Sequence, residues 1–381
     1  MNQSKEQSAW LSSVFEKLLT KMEAQCLRIG SSIPFIPYQG SYRDCMMPDG
    51  LSWWTNGFWP GMLWQMYHVT QKECYRDAAI QAGERLNETL TTFDKLHHDV
   101  GFMFMPSAVA QYRSTGDESA RCNALHAATL LAGRFNPTGE YIKAWDKSAW
   151  QEDVTGWMII DSLLNLPLLY WASEQTKDPR FADIANRHAH TALHSLLRED
   201  DSCNHIAEFN SSTGEFLKGV GGQGFGEGSS WSRGQSWAVY GYALAFRYTK
   251  NMDYLNAAKR CAHYCIANLA ISDWLPLVDF RAPQEPVKYD SGAGVIIACG
   301  LLEIAEHVPA LEQPLYKEAA QHILYACEQH FADWNPQTDG ILFGGTTMYH
   351  DDRLANTSII YGDYFFLEGI LRLEGKQVTM W

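Results

Sequence analysis

A repeated helical unit constrains the fold of this chain more than any other feature of its sequence. Each unit has an apolar, aromatic-rich segment, then a polar turn, then an Ala-rich amphipathic segment. A helix that is apolar on nearly every side is typical of a buried position, whereas an amphipathic helix has one face in solvent. The clearest copies begin at GFWPGMLWQMYHV, GFMFMPSAVAQYR, LLNLPLLYWASEQ, SWAVYGYALAFRY and GVIIACGLLEIAE.

The number and length of these units predict a closed double ring of helices. Together with the terminal segments SAWLSSVFEKLLTKMEAQC and YGDYFFLEGILRLEG, they make about six hairpins that recur roughly every 45–75 residues. An open helical solenoid would have shorter and more uniform repeats, so it fits less well. We therefore predict an all-α fold, an (α/α)6 barrel with inner and outer helix rings, formed by residues 1–381 as a single domain.

Composition and charge disfavour several classes of partner and location. The formal net charge of −14 would repel nucleic acid and anionic membrane surfaces. The sequence shows no signal-peptide pattern and no apolar run of membrane-spanning length. Its nine cysteines have neither the spacing of a disulfide framework nor that of a zinc site. We therefore expect a cytoplasmic protein, either a monomer or a small homo-oligomer, that binds neither nucleic acid nor membranes.

Unusual polar residues stand immediately before several of the apolar helices, in SWWTNGFW, HHDVGF, MIID, SSWSRGQSW, KYDSGAG and YGDYFF. In a closed barrel these helix N-termini meet at one mouth, where free N–H groups and partial positive charge suit an anionic ligand. Pro167 leaves two possibilities for the helix after MIID. It kinks at this proline, or it begins near Asn165 and leaves Asp161 on the lip. Both possibilities place Asp161 at the mouth.

Asp161 is the only charged residue in the segment WMIIDSLLNLPLLYW. A helix N-cap is the commonest reason for an aspartate at such a position. Its apolar neighbours, however, predict a poorly hydrated side chain, and burial raises a carboxyl pKa by up to ~3–5 units. A helix N-terminus stabilises the anion by only about 0.3–1 kcal/mol, so we expect desolvation to dominate. This predicts a carboxylic acid that keeps its proton near neutral pH, which asparagine could not donate.

Asp99, in the segment LHHDVGF, is the candidate for a second carboxylate, although a turn aspartate before Gly101 is the simpler interpretation. His97 and His98 could be metal ligands. Adjacent histidines point in different directions, however, and no further ligand motif is present, so we predict no metal site. We expect one imidazole to orient Asp99 or a carboxylate of the substrate.

Further residues near the mouth are candidates for ligand binding. His205 by itself would be assigned a structural role, and Gln223 lies in a Gly-rich loop whose backbone can approach a ligand closely. That loop lacks the strand-to-helix context of a phosphate-binding loop. Tryptophans at the mouth suit stacking on sugar rings, and an arginine would supply positive charge there; the candidates are Trp54, Trp231, Trp237 and Arg233.

Motifs of other enzyme classes are absent from the sequence. There is no GxSxG elbow, no HExxH, and no GxGxxG in a strand-to-helix context. Their absence disfavours a serine hydrolase, a zinc peptidase and a dinucleotide-dependent enzyme.

Several long motifs occur in one order from about Trp54 to Glu374: HHDVGFMF, IIDSLLNLPLLYWASEQTKDP, WSRGQSWAVYGYALAFRY, DSGAGVIIACGLLEIA and YGDYFFLEGILRLE. Together they resemble the unsaturated glucuronyl hydrolases, glycoside hydrolase family 88. The resemblance implies an (α/α)6 barrel that acts on lyase-generated oligosaccharides ending in a 4,5-unsaturated uronic acid. It implies that Asp161 is the general acid/base and Asp99 the second essential carboxylate. The substrate-binding positions that it implies are Trp54, His98, His205, Gln223, Arg233, Trp237 and Tyr349.

The resemblance also implies an unusual reaction for a glycosidase. The enzyme hydrates the vinyl ether double bond of the terminal uronate instead of displacing the glycosidic bond directly, and it needs neither a metal nor an organic cofactor. Three alternatives remain open: an unsaturated rhamnogalacturonyl hydrolase acting on pectin fragments, a sugar 2-epimerase on the same barrel, and a non-catalytic sugar-binding barrel. The segment MYHDDRLANTSIIYGDY does not predict a sulfate pocket.

Overall fold

The computed structural model describes residues 2–92, 95–146, 153–283, 285–377 and 380–381, and most of these residues are helical. In chain order the helices are α1 (Asn2–Ile29), α2 (Phe58–Thr70), α3 (Glu73–Asn87), α4 (Val100–Phe104), α5 (Ala110–Thr115), α6 (Glu118–Ala132), α7 (Leu166–Thr176), α8 (Pro179–Ser195), α9 (Ser232–Thr249), α10 (Met252–Ala270), α11 (Ser291–His307), α12 (Gln313–Phe331) and α13 (Ile360–Leu373).

The helices form two concentric rings, which confirms the predicted barrel. In the inner ring, α2 packs on the α4–α5 segment, α4 on α7, α7 on α9, α9 on α11, and α11 on α13. Helix α13 then packs on α2 and closes the ring. Helices α3, α6, α8, α10 and α12 each pack outside the inner helix that precedes them, and α1 packs outside α13. The first and last helices thus complete one pair.

The inner helices are buried because their sequences are apolar nearly all round. Every residue from Ser232 to Phe246 in α9 is buried, as is every residue from Ser291 to Ala305 in α11. A π-helical turn, Met105–Val109, joins α4 to α5 around Pro106. Within the described ranges we find no helix with the length and apolarity that a membrane crossing demands.

Pro167 stands in the first turn of α7, where a missing N–H leaves no hydrogen bond unmade. The helix therefore begins at Leu166, just after Asn165, and is not kinked by the proline. A 3-10 turn, Ile160–Leu164, comes before it and carries Asp161. The second of the two possibilities for this segment is thus the one that the structure adopts.

Short strands, which helical periodicity did not predict, lie in the connections. In chain order they are β1 (Pro37–Tyr38), β2 (Ser41–Tyr42), β3 (Phe135–Asn136), β4 (Tyr141–Ile142), β5 (Trp157–Ile159), β6 (Ile206–Phe209) and β7 (Phe216–Val220). Strands β5, β6 and β7 form an antiparallel sheet in that order, with Ile159 opposite Ile206 and Ile206 opposite Val220. The sheet thereby brings the segments around Asp161, His205 and Gln223 side by side.

Close helix packing holds the turn that carries Asp161 against α9. A Cβ atom on Gly241 of α9 would lie 2.4 Å from Cβ of Leu163 and 3.1 Å from its carbonyl carbon. Such distances are far inside van der Waals contact, so only glycine allows this approach.

We therefore expect Gly241→Ala to lower the free energy of unfolding by about 1–3 kcal/mol, because the added methyl group overpacks a buried contact. Chemical denaturation monitored by circular dichroism measures the change. Gly133→Ala is the matched control: its Cβ would approach nothing closer than 3.4 Å, at an exposed position. It should change stability by no more than ~0.5 kcal/mol. Equal effects of both substitutions would contradict the packing argument.

Candidate active site

A cavity of about 530 Å³ opens at the N-terminal ends of inner helices, where the sequence predicted the mouth. Asp99 occupies the N-cap position of α4, Asp161 precedes α7, and Arg233 lies in the first turn of α9. Most of the predicted site residues line this cavity: Trp54, Asp99, Asp161, Gln223, Arg233 and Trp237. Folding therefore brings residues that are far apart in sequence to one wall.

The main chain around Asp161 is fixed from two sides. The Ile160 N–H donates to the carbonyl of His205 at 3.0 Å, which continues the pairing of β5 with β6. The Ser162 hydroxyl lies 2.7 Å from Nε2 of His188, whose Nδ1 accepts from the Ile142 N–H at 2.8 Å. The carboxyl group between these anchors is 15% exposed, and its Oδ1 has no hydrogen-bond partner among the described residues.

Asp99 is held differently. It occupies a helix N-cap position, but its side chain does not cap the helix. Its Oδ1 instead accepts from Nδ2 of Asn165 at 3.0 Å, while Oδ2 lies 3.4 Å from Nδ1 of His97 and 3.5 Å from Nε2 of His98. The simpler interpretation of Asp99 as a turn or cap aspartate therefore does not describe what its carboxyl group contacts.

His98 lies between the two carboxyl groups. Its Nε2 is 3.5 Å from Asp99 Oδ2 and 3.9 Å from Asp161 Oδ1, and its side chain is fully buried. Burial, with smaller contributions from nearby cationic and imidazole groups, holds the pKa of His98 well below its usual value. Burial likewise lowers the pKa of His97 to about 4. Both imidazoles are therefore neutral near pH 7 and act as dipoles instead of cations.

Burial raises the pKa of both carboxyl groups, Asp99 and Asp161. Desolvation raises the pKa of Asp161 to about 7, against the opposing effects of backbone N–H groups and Arg233. Desolvation also raises the pKa of Asp99, and the negative charge of Asp161 raises it further. Because two neighbouring carboxylates resist simultaneous ionisation, the pair retains a proton near neutral pH and titrates as a unit. This confirms the direction of shift expected for Asp161 from its apolar neighbours.

Arg233 lies at the cavity, but its guanidinium is already paired. Nη1 donates to the buried carboxylate of Asp290 and, at 2.7 Å, to the carbonyl of Thr346, while Nη2 donates to the carbonyl of Thr347. The residue thus ties α9 to the start of α11 and to the loop that follows Gly344. Its charge still favours the ionised form of Asp161, but these contacts use three of its five N–H donors.

The Gly-rich loop places Gln223 by contacts on both sides. The Gln223 N–H donates to Nδ1 of His205 at 3.0 Å, so the proton of this imidazole lies on Nε2. Nε2 is buried without a hydrogen-bond partner among the described residues. A Cβ atom on Gly222, which has a φ of +65°, would lie 1.8 Å from the same Nδ1. Glycine is thus required beside the imidazole.

Tyr349, like the buried His98 and His205, is a predicted binding residue that does not line this cavity. It lines a different cavity, of about 350 Å³. Its N–H donates to the carbonyl of Gln223 at 2.9 Å, and its ring packs on Phe225. These contacts support the Gly-rich loop, and Tyr349 also packs in a buried cluster with Trp231, which lines the cavity of the site.

Aromatic side chains form much of the cavity wall. Trp54 stacks on Tyr361 with ring centroids 5.4 Å apart and packs on Phe102, which also contacts Trp237. Sequence reasoning named Trp54, Trp231 and Trp237 but missed other lining residues, namely Asp49, Trp53, Lys95, Trp145, Asp146 and Met348. Trp53 stands beside Trp54 in the motif SWWTNGFW, whereas Trp145 lies in a connection whose sequence shows no helical periodicity.

The side chains of His97 and His98 both lie against the carboxyl group of Asp99. His97, His98 and Asp99 each place a potential ligand atom within 4.8 Å of the others, so the expectation that the two rings would diverge is wrong. Nδ1 of His97 accepts from the Asp99 N–H at 3.4 Å, whereas Nε2 of His98 lies near the carboxyl group without a hydrogen-bond partner among the described residues. That the reaction needs no metal and no organic cofactor stays a prediction.

Comparisons with known proteins agree with this geometry. The family model described as Glycosyl Hydrolase Family 88 matches residues 38–306. An unsaturated glucuronyl hydrolase from Bacillus sp. (strain GL1) is 40% identical over 333 residues, which are 86% of this chain and 88% of the relative. An unsaturated chondroitin disaccharide hydrolase from Streptococcus pneumoniae is 33% identical over 338 residues, 86% of this chain and 83% of that protein.

Solved structures show the same fold. The crystal structure of an unsaturated glucuronyl hydrolase from Bacillus sp. GL1, responsible for the degradation of glycosaminoglycan, superposes with a TM-score of 0.88. It is 37% identical to this chain and covers 96% of it, and the match covers 97% of the solved chain.

Proposed function

Because this chain belongs to glycosyl hydrolase family 88, we propose that Asp161 is the general acid with which it hydrates the double bond of a terminal 4,5-unsaturated uronate. The enzyme is an unsaturated glucuronyl hydrolase, which releases that sugar from oligosaccharides left by polysaccharide lyases. The observation that carries the role of Asp161 is its burial, which raises its pKa to about 7.

The substrate is a vinyl ether, and protonation of carbon 4 is the difficult step. The Asp161 carboxyl group gives its proton to carbon 4, and the positive charge that develops at carbon 5 is shared with the ring oxygen. The resulting carboxylate then takes a proton from a water molecule as the water oxygen bonds to carbon 5. The hemiketal so formed opens, and the hemiacetal left at carbon 1 expels the neighbouring sugar. One water is consumed, and Asp161 ends protonated as it began.

Asp99 has the complementary role in this scheme. An ionised Asp99 beside a protonated Asp161 can orient the substrate or the attacking water. His98, which contacts both carboxyl groups, supports their arrangement as a neutral imidazole. The neutral state matters because a cation between the carboxylates would favour their ionisation and remove the acid.

We propose that the aromatic and polar side chains of the cavity wall bind the sugar. Trp54 and Trp237 offer ring faces for the saccharide, and Gln223 and the Nε2 proton of His205 offer hydrogen bonds. Because three of the five N–H donors of Arg233 are used by Asp290, Thr346 and Thr347, we assign it mainly a supporting role at the site. We retain Tyr349 as a residue that acts through the loop.

Cellular location and assembly are also proposed. All nine cysteines are free thiols, which supports a reducing, cytoplasmic compartment. The net charge of −14 supports partners other than nucleic acid or anionic membranes. We propose a monomer or a small homo-oligomer.

An absorbance assay tests the activity and narrows the substrate. Hydration removes the conjugated double bond, so ultraviolet absorbance should fall on incubation with unsaturated disaccharides from chondroitin, heparin or gellan. An unsaturated rhamnogalacturonan fragment from pectin should be a poorer substrate. Preference for the pectin fragment would favour the rhamnogalacturonyl alternative, and a product that keeps the double bond would favour an epimerase. No turnover of any of these sugars would contradict the proposal.

Asp161→Asn should keep the fold and substrate binding but lower kcat by about 10³-fold or more, because the amide has no proton to donate. Steady-state kinetics together with equilibrium binding of an unsaturated disaccharide separate the two effects. Asp183→Asn, the same change on the exposed face of α8, should retain wild-type turnover. A folded Asp161→Asn enzyme with near-wild-type kcat would sink the assignment.

The pH profile should be bell-shaped, with an alkaline limb where Asp161 loses its proton, at about pH 7. Asp99→Asn removes a negative charge near Asp161. The Asp161 anion then becomes less unfavourable, its pKa falls, and the alkaline limb of the residual activity should move to lower pH. The measurement is kcat against pH for both enzymes. A limb that stays in place or moves upward would show that the two carboxyl groups do not interact.

A further inference from the structure

The proposed roles raise the question of which carboxyl group holds the shared proton. Asp99 is the more deeply buried, with 6% of its side chain exposed against 15% for Asp161. Desolvation alone would therefore place the proton on Asp99 and leave Asp161 ionised. General acid catalysis by Asp161 needs the opposite distribution, so another interaction has to stabilise the anion of Asp99.

The fully buried side chain of Asn165 makes such an interaction. Its Nδ2 donates to Asp99 Oδ1 at 3.0 Å and to the backbone carbonyl of Asp161 at 3.3 Å. It thus donates to one carboxyl group of the pair but only to the main chain of the other. A hydrogen bond to a charged acceptor is stronger than one to a neutral group, which favours the ionised form of Asp99.

The orientation of this amide is fixed by its other end. Asn165 Oδ1 accepts from the Phe102 N–H at 2.8 Å, so the amide cannot turn its oxygen toward Asp99 without leaving that N–H unpaired. A Cβ atom on Gly101 would lie 2.4 Å from Oδ1 and 2.5 Å from Cα of Asn165. The close approach of this glycine locks the donor toward Asp99.

We propose that Asn165 is a positioning residue that keeps Asp99 ionised and thereby leaves the shared proton on Asp161. The inference rests on the proposed function, since it assigns the protonation states that the mechanism uses. The sequence already contains its signal: Asn165 follows Asp161 by four residues and is the last polar residue before the apolar helix α7.

Asn165→Leu tests the proposal, because leucine has a similar volume and no donor. Without the hydrogen bond, Asp99 binds a proton more readily, so both limbs of the kcat–pH profile should move to higher pH. This direction is opposite to that expected for the alkaline limb of Asp99→Asn. Part of the singly protonated enzyme then carries its proton on the wrong carboxyl group. The maximal kcat should therefore fall roughly 10–100-fold while KM changes less than about threefold.

Asn165→Asp provides a second variant of nearly the same shape. It keeps an oxygen to accept from the Phe102 N–H but replaces the donor with another carboxyl oxygen beside Asp99. A third acidic group raises the proton affinity of the cluster, so both limbs of the kcat–pH profile of this variant should also move to higher pH. The other titratable groups around the pair are unchanged in both variants: His97, His98, His188, His205, Arg134 and Arg233.

Asn56→Leu is the matched control. Asn56 is also a buried amide near the mouth, but its Nδ2 donates to the carbonyls of Gly50 and Leu51, not to a carboxyl group. The Asn56→Leu substitution should lower thermal stability without moving either limb of the kcat–pH profile. If folded Asn165→Leu and Asn165→Asp enzymes keep the wild-type profile, the inference is wrong. Loss of activity in Asp161→Asn would then still uphold Asp161 as the general acid, whereas an active Asp161→Asn enzyme would overturn that role.

Discussion

The burial of two carboxyl groups in one cavity is the constraint on which the rest of this structure depends. Removing ionised Asp161 from water costs on the order of a few kcal/mol, which is why its pKa rises to about 7. The folded chain therefore binds this proton more tightly than the unfolded chain, in which the pKa is ~3.9. Through this group, stability falls as pH rises from about 4 through about 7, and it is not regained above that range. The fold thus gives up stability near neutral pH to keep a proton where the reaction needs one.

The remainder of the barrel holds that arrangement in place. The turn that carries Asp161 is pressed against α9 at Gly241, bonded to His188 through Ser162 and paired with His205 through β5 and β6. On the opposite side, Asn165 joins the turn to the N-terminus of α4, where Asp99 lies. These hydrogen bonds lie within a closed ring of apolar helices, where water does not compete for their donors and acceptors. The closed ring of helices therefore both holds the two carboxyl groups in place and keeps water away from them.

The sequence was sufficient to predict the barrel because apolar helices of this length leave few other ways to bury their surface. It also placed Asp161 at the mouth and gave the direction of its pKa shift, since both follow from local apolar neighbours. The pairing of Arg233 with Asp290 could not be predicted, because it joins residues from different helices that only the closed ring brings together. The sheet of β5, β6 and β7 was missed because its strands are too short for an alternating pattern. Tyr349 was assigned by resemblance alone, and the structure places it against Gln223 and Phe225 of the Gly-rich loop instead of in the lining of the cavity.

The most direct test of this account is a carbon-13 NMR titration of the carboxyl groups in the folded enzyme, labelled at aspartate and assigned with Asp161→Asn. The Asp161 signal should move through its transition near pH 7, in step with a second, smaller change at Asp99. Both residues should keep these transitions in the absence of substrate, because burial and mutual repulsion are properties of the fold. An Asp161 signal that titrates in the ordinary range of an exposed aspartate, near pH ~4, would contradict the claim that desolvation supplies the acid.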